Sequence, residues 1–181
     1  MVTEEDDLGP RTLWVGSLPS LHVGSPVTLR LSGVPFVFDP SLPRGELSPR
    51  WRALVREWKN FLLDDDLLLL REPAEGLRWD DLLGLGPGST PAGDDYLAGY
   101  AAGTLWRGWA VPFSPDLRRT SWLSGEILRD SLEGRIWRRG KRLLEALARE
   151  DGEVATLAGR IVAWGHSSGR AWMAGLASAL L

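Results

Sequence analysis

A chain of 181 residues that is 44% hydrophobic has the length of one domain and enough apolar residues for a sizeable core. Its formal net charge of −3 favours neither nucleic acid nor an anionic membrane as a partner. It has no cysteine and only two histidines, His22 and His166, which rules out disulfides, thiolate nucleophiles and His-rich metal sites.

The acidic start, Met1 to Asp7, is unlike a signal peptide, and the longest apolar run, Leu67 to Leu70, is too short to span a bilayer. A cytoplasmic protein is expected. Between residues 11 and 38, three segments rich in β-branched and aromatic residues predict short strands: Leu13 to Val15, Val27 to Leu31 and Pro35 to Phe38. Ser32-Gly33 between the last two reads as a hairpin turn. Residues 39–47 form a Pro-rich connection. Ser48-Pro49 then predicts a helix start, followed by an apolar face of Trp51, Leu54, Val55, Trp58, Phe61 and Leu62. Further helices are expected over 91–107, near 121–133, and over 135–149, 153–164 and 168–180. The expected architecture is α+β. A single domain spans 1–181, with a β-rich N-terminal lobe (11–38) packed on a larger helical lobe (48–181). Asn60 is the one asparagine, glutamine is absent, and arginine far outnumbers lysine. That composition suits a thermophile, and GC-rich coding would produce it too.

Two of these helices carry a weak repeat. Gly93 to Ala101 and Gly169 to Ala177 share the pattern Gly-x-x-aromatic-aliphatic-Ala-Gly-x-Ala. Small residues four apart, Gly99 with Gly103 and Ala174 with Ser178, would allow close helix packing. Such packing would bring the loops before both helices to one site.

The most informative stretch is Gly84 to Asp95, Gly-Leu-Gly-Pro-Gly-Ser-Thr-Pro-Ala-Gly-Asp-Asp. Gly84, Gly86 and Gly88 permit positive φ, and Thr90-Pro91 fits an N-cap followed by a first helical residue. Gly93 permits close backbone approach. A glycine-rich loop entering a helix is an anion site, because free N–H groups and the helix dipole face it. Asp94 and Asp95 in the first turn satisfy those groups themselves, or hold a cation or a substrate donor. Adjacent helical residues point roughly 100° apart, so the two acids serve different neighbours. The loop lacks the Gly-Lys-Ser/Thr ending of a P-loop and the strand and later acid of a dinucleotide fingerprint. No third acid supports Mg²⁺, and no metal is expected.

This stretch resembles the GxGPGxTPxGDD signature of a bacterial family of unknown function, one member of which is a subunit of oxamate carbamoyltransferase, an enzyme of anaerobic allantoin breakdown. Thr120-Ser121-x-x-Ser124 and Gly165-His166-Ser167-Ser168-Gly169 follow in the family's order. The family often carries an Asp two residues beyond the last glycine, where this chain has Ala171. The resemblance implies carbamoyl transfer between carbamoyl phosphate and oxamate or a related small acid, without a cofactor, in a multi-chain enzyme or a homo-oligomer. On that reading Asp94, Asp95 and His166 are the candidate catalytic residues. Gly86, Gly88, Ser89, Thr90, Gly93, Thr120, Ser124, Ser167, Ser168 and Gly169 would bind a small anionic metabolite, with Arg119 or Arg170 as counter-cation. The alternative is a non-catalytic metabolite-binding or assembly subunit. A Ser89–His166–Asp94 triad has no nucleophile elbow to support it. Thr120, Ser167 and Ser168 also fit plain N-caps. The basic run Arg135 to Arg142 reads as a solvated helix face, and the ten tryptophans as core or interface anchors.

Overall fold

The computed structural model describes residues 5–13, 26, 28, 37–150 and 152–181. Among these residues the fold is helical. The expected β-rich N-terminal part is overturned: no sheet is present among them, and the sole β pairing there is an isolated antiparallel bridge between Ser41 and Arg135. Most of the expected strand residues, and the Ser32-Gly33 turn, lie outside the described residues. Leu13, Val37 and Phe38 are described and belong to no strand, and Val37 is 81% exposed.

The segment 39–47, expected as a Pro-rich connection, forms no strand. Pro40 and Pro43 have no N–H to give, so a regular ladder is interrupted. The backbone instead bonds one residue at a time to the ends of helices and turns. Pro40 accepts from Ile136 N–H at 2.9 Å, and Leu42 donates to Gly134 at 2.8 Å. Gly45 donates to Trp106 at 3.0 Å and Ser48 to Leu147 at 3.1 Å. The segment is a strap across a helical body.

That body has eight α-helices among the described residues: α1 Arg52–Trp58, α2 Leu68–Glu75, α3 Trp79–Leu82, α4 Ala92–Trp106, α5 Trp122–Leu132, α6 Arg138–Leu147, α7 Val154–Val162 and α8 Ser168–Leu180. Short 3₁₀ turns flank α1, at Pro49–Trp51 and Lys59–Leu63, where the sequence predicts one continuous helix. In α4 every residue except Tyr100 and Leu105 is buried. A helix apolar on all sides belongs in the middle of a fold, and α4 lies there against α8, itself almost wholly buried. The other helices pack around this pair, α5 against α4, and α1 and α7 against α8.

The sequence repeat is the contact between these two helices. A Cβ on Gly99 would collide with the carbonyl oxygen of Trp172, and one on Gly175 with that of Tyr96. Tyr96 and Trp172 are equivalent positions of the repeat, so the contact is reciprocal. It continues with Gly99 against Leu176 N and Gly175 against Tyr100 N, at 3.1 and 3.0 Å from the same added atoms. Gly93 and Gly169 repeat the relation one level out. Each lies under a carbonyl of the preceding helix, Leu82 for Gly93 and Ile161 for Gly169. Two helix–loop–helix units, α3–α4 and α7–α8, are thus related by a local pseudo-two-fold. The small residues at the seam on α8 are Gly175 and Ala179, one position on from the expected Ala174 and Ser178; a Cβ on Gly103 would lie 2.8 Å from that of Ala179.

The N-terminal turn Glu5–Asp7 clips onto α6 through charge. Asp7 pairs with Arg139 at 2.6 Å, and Asp6 pairs with Arg142 and Arg160 at 3.0 and 3.1 Å. The basic run read as a solvated face is therefore partly spent on internal ion pairs. No helix among the described residues is long and apolar enough to cross a membrane.

Candidate functional site

The parallel packing of α4 and α8 puts their N-terminal ends side by side. Thr90 Oγ1, at the end of the glycine-rich loop, lies 3.4 Å from Ser168 Oγ at the start of α8. Gly84, Gly86 and Gly88 hold φ values of +74°, +116° and +91°, so the loop needs glycine at each. The helix begins with Pro91 as N-cap and no side-chain cap bond, one residue later than expected. Asp94 supplies the missing closure. Its Oδ1 accepts from Gly84 N–H at 2.7 Å, while Oδ2 accepts from Ser124 Oγ at 2.7 Å and from the Thr120 hydroxyl. Ser121, the N-cap of α5, accepts from Ser124 N–H and donates its hydroxyl to the Ser89 carbonyl. Asp94 is therefore the knot that ties loop, α4 and α5 together.

Asp95 faces elsewhere. It is only 5% exposed, the Ser168 hydroxyl hydrogen-bonds its carboxyl, and Oδ2 has no partner within the protein. Burial, reinforced by the neighbouring Asp94 and opposed by Ser168, pushes its pKa up to about 7. Asp95 lines a cavity of about 250 Å³ between α4, α5, α8 and the segment 7–12. Trp122, Trp137, Trp164 and Trp172 form much of its wall. Its polar lining includes Arg11 with Glu126 and Asp130, at 3.0 and 2.8 Å, and Arg135 with Asp130 at 2.6 Å. Ser168 thus stands where the loop and the cavity meet, touching Thr90 on one side and Asp95 on the other.

A match to the family of oxamate carbamoyltransferase subunit AllH covers residues 82–180, more than half of the chain. The chain belongs to that family. No curated protein matches it, and no solved structure does.

The AllH match begins at Leu82, whose carbonyl lies over Gly93, and runs through the loop, the pseudo-two-fold helix pair and the helices between them. Within this region Thr90, Asp94, Asp95, Thr120, Ser124 and Ser168 come together. Ser89 joins through its carbonyl, and its side chain is exposed. Gly93 and Gly169 serve helix packing, and Gly86 approaches Ala92 N closely. Ser167 is the N-cap of α8 but makes no side-chain cap bond. His166 is not part of the constellation: its side chain is 86% exposed, 3.5 Å from Asp66, and it does not line the cavity. The two counter-cation candidates are engaged elsewhere, Arg119 with Asp80 and Arg170 with Asp64 and Asp66. No cluster of three or more metal-ligating side chains occurs among the described residues.

The cavity itself escaped the sequence reading. Its tryptophans come from α5, from the residue before α6, from the turn after α7 and from α8. Nothing in local spacing links residues 122, 137, 164 and 172. The available signal was the excess of tryptophan, which is equally a mark of ordinary core packing.

Proposed function

We propose that this chain works as a subunit of a carbamoyl-transferring enzyme and that Asp95, at the junction of loop and cavity, handles the proton of the transfer step. One observation carries the reading: beside the glycine loop a carboxyl with a free oxygen is buried, and burial pushes its pKa up to about 7. In the proposed reaction the nitrogen of oxamate, or of a related small acid, attacks the carbamoyl carbon of carbamoyl phosphate. The C–N bond forms, the C–O bond to phosphate breaks, and phosphate leaves with the bonding pair. The proton released from nitrogen passes to the Asp95 carboxylate. A base with a pKa close to the working pH suits that task. Backbone N–H groups of the loop, with the Ser89 and Thr90 hydroxyls, are suited to hold the phosphate and to meet charge developing on the carbamoyl oxygen. Asp94 positions the loop.

The test uses the chain assembled with its partner subunits. Asp95→Asn keeps the shape and removes the base; carbamoyl transfer is expected to fall about 10²–10⁴-fold. In the parent protein, activity should rise with pH through about 7, the range in which Asp95 ionises. Full activity of Asp95→Asn in the assembled enzyme would refute the assignment.

Gly88 gives a second check on the loop. It is exposed, has φ +91°, and an added Cβ meets nothing within 4 Å. Gly88→Ala should cost only about 1 kcal/mol through backbone strain, while carbamoyl phosphate, expected to raise the melting temperature of the parent, should no longer do so in the variant. Undiminished stabilisation by the ligand would place the anion elsewhere.

A second reading, an assembly subunit without chemistry of its own, is favoured by the exposed apolar residues that α5 contributes to the cavity lining. Trp122 is 81% exposed, with Leu123 and Ile127 beside it on the same helix, a patch suited to a partner chain. Retained assembly and full activity in Asp95→Asn, with both lost in Trp122→Ser, would select this reading.

A further inference from the structure

The cavity is built for more than a small acid. An occupant the size of oxamate would fill a small part of its roughly 250 Å³. Its walls are also the wrong chemistry for an anion. Trp137 lies between two other tryptophans, tilted 47° to Trp164 at 4.6 Å and nearly perpendicular to Trp172 at 6.1 Å. Indole rings turned at such angles present electron-rich faces in more than one direction.

The charges point the same way. Four acids line the cavity, Asp7, Asp95, Glu126 and Asp130, against two arginines, Arg11 and Arg135. Both arginines are already bound to Glu126, Asp130 or the nearby Glu133, and Asp7 is paired with Arg139. Asp95 has no cationic partner among the described residues, and its Oδ2 accepts no hydrogen bond from the protein. A buried carboxylate left in this state is costly until a positive group or a donor meets it.

We propose that this tryptophan-walled cavity, with the buried Asp95 in its lining, is a binding site for a small organic cation, an ammonium group carried on a compact apolar body. The indole faces attract the cation and cover its carbon substituents, while the carboxylate of Asp95 supplies the countercharge. Oxamate and carbamoyl phosphate, both anions, are assigned above to the glycine loop on the far side of Ser168, and not to this acid-lined cavity. The inference rests on the cavity and not on the carbamoyl-transfer reading.

The experiment is calorimetric titration of the full chain, without partner subunits, at about pH 8, where Asp95 is ionised. The two probes are choline and its neutral isostere neohexyl alcohol, in which carbon replaces the ammonium nitrogen. Choline is expected to bind and to quench tryptophan fluorescence. The alcohol should bind at least about tenfold more weakly, a difference of about 1.4 kcal/mol. Asp95→Asn and Trp164→Leu, each verified as folded by thermal melting, should each weaken choline at least about tenfold as well. Equal binding of the two probes, no detectable choline binding, or full choline affinity in both variants would overturn the proposal. Because binding is read on the isolated chain, a loss of carbamoyl transfer in Asp95→Asn does not decide it.

Discussion

Gly99→Ala and Gly175→Ala should each lower the stability of the protein by about 2–4 kcal/mol, among the largest effects available to a single methyl group. The added Cβ at either position falls on a backbone carbonyl, that of Trp172 or of Tyr96. A carbonyl in a buried helix cannot swing aside as a flexible side chain can, so α4 and α8 must separate. Both helices are buried on nearly every face, and their separation opens contacts throughout the core. The two effects should be similar, because the contacts are reciprocal. Gly159→Ala is the control. Gly159 is exposed within α7 and has open space around its Cβ position, so alanine there should stabilise by about 0.5–1 kcal/mol through helix propensity. Thermal melts of the three variants decide the matter. A parent-like melting temperature for Gly99→Ala would mean that the seam is not the centre of the fold.

Asp95→Asn should become progressively more stable than the parent as pH rises. The Asp95 pKa goes from an ordinary 3.8 in the unfolded chain to about 7 in the fold. Between those values the folded protein holds a proton that the unfolded chain has released. Stability therefore falls with rising pH across this window and levels off above about 7. The full loss is on the order of 4 kcal/mol, because each pH unit between the two values removes about 1.4 kcal/mol. Asparagine carries no such proton, so the difference in stability between variant and parent isolates Asp95 from every other titrating group. Denaturant unfolding of both proteins at about pH 5 and about pH 8 measures it. A difference that does not change with pH would mean that Asp95 ionises normally, and the argument for it as a base near neutrality would fail with it.

By itself the sequence determined the helical C-terminal part, the glycine loop and the repeat. These are local properties. Positive φ at Gly84, Gly86 and Gly88, proline at a helix entry and small residues at helical spacing act over a few residues and are legible without a partner. The family signature was legible for the same reason, since it is one short uninterrupted stretch. The tertiary structure decided the rest. The N-terminal region looked β-rich because strand propensity reflects a surface to pack against, and the described part of that surface is helical. Helix geometry already sends the adjacent acids to different neighbours, but only packing gave Asp94 three donors and left Asp95 with a buried, unpartnered oxygen. His166 looked like a site residue by its place in a motif, yet the turn that carries it faces outward. The tryptophan cavity depends on chain segments brought together over a span from Asp7 to Trp172, and no rule of local spacing encodes such a meeting.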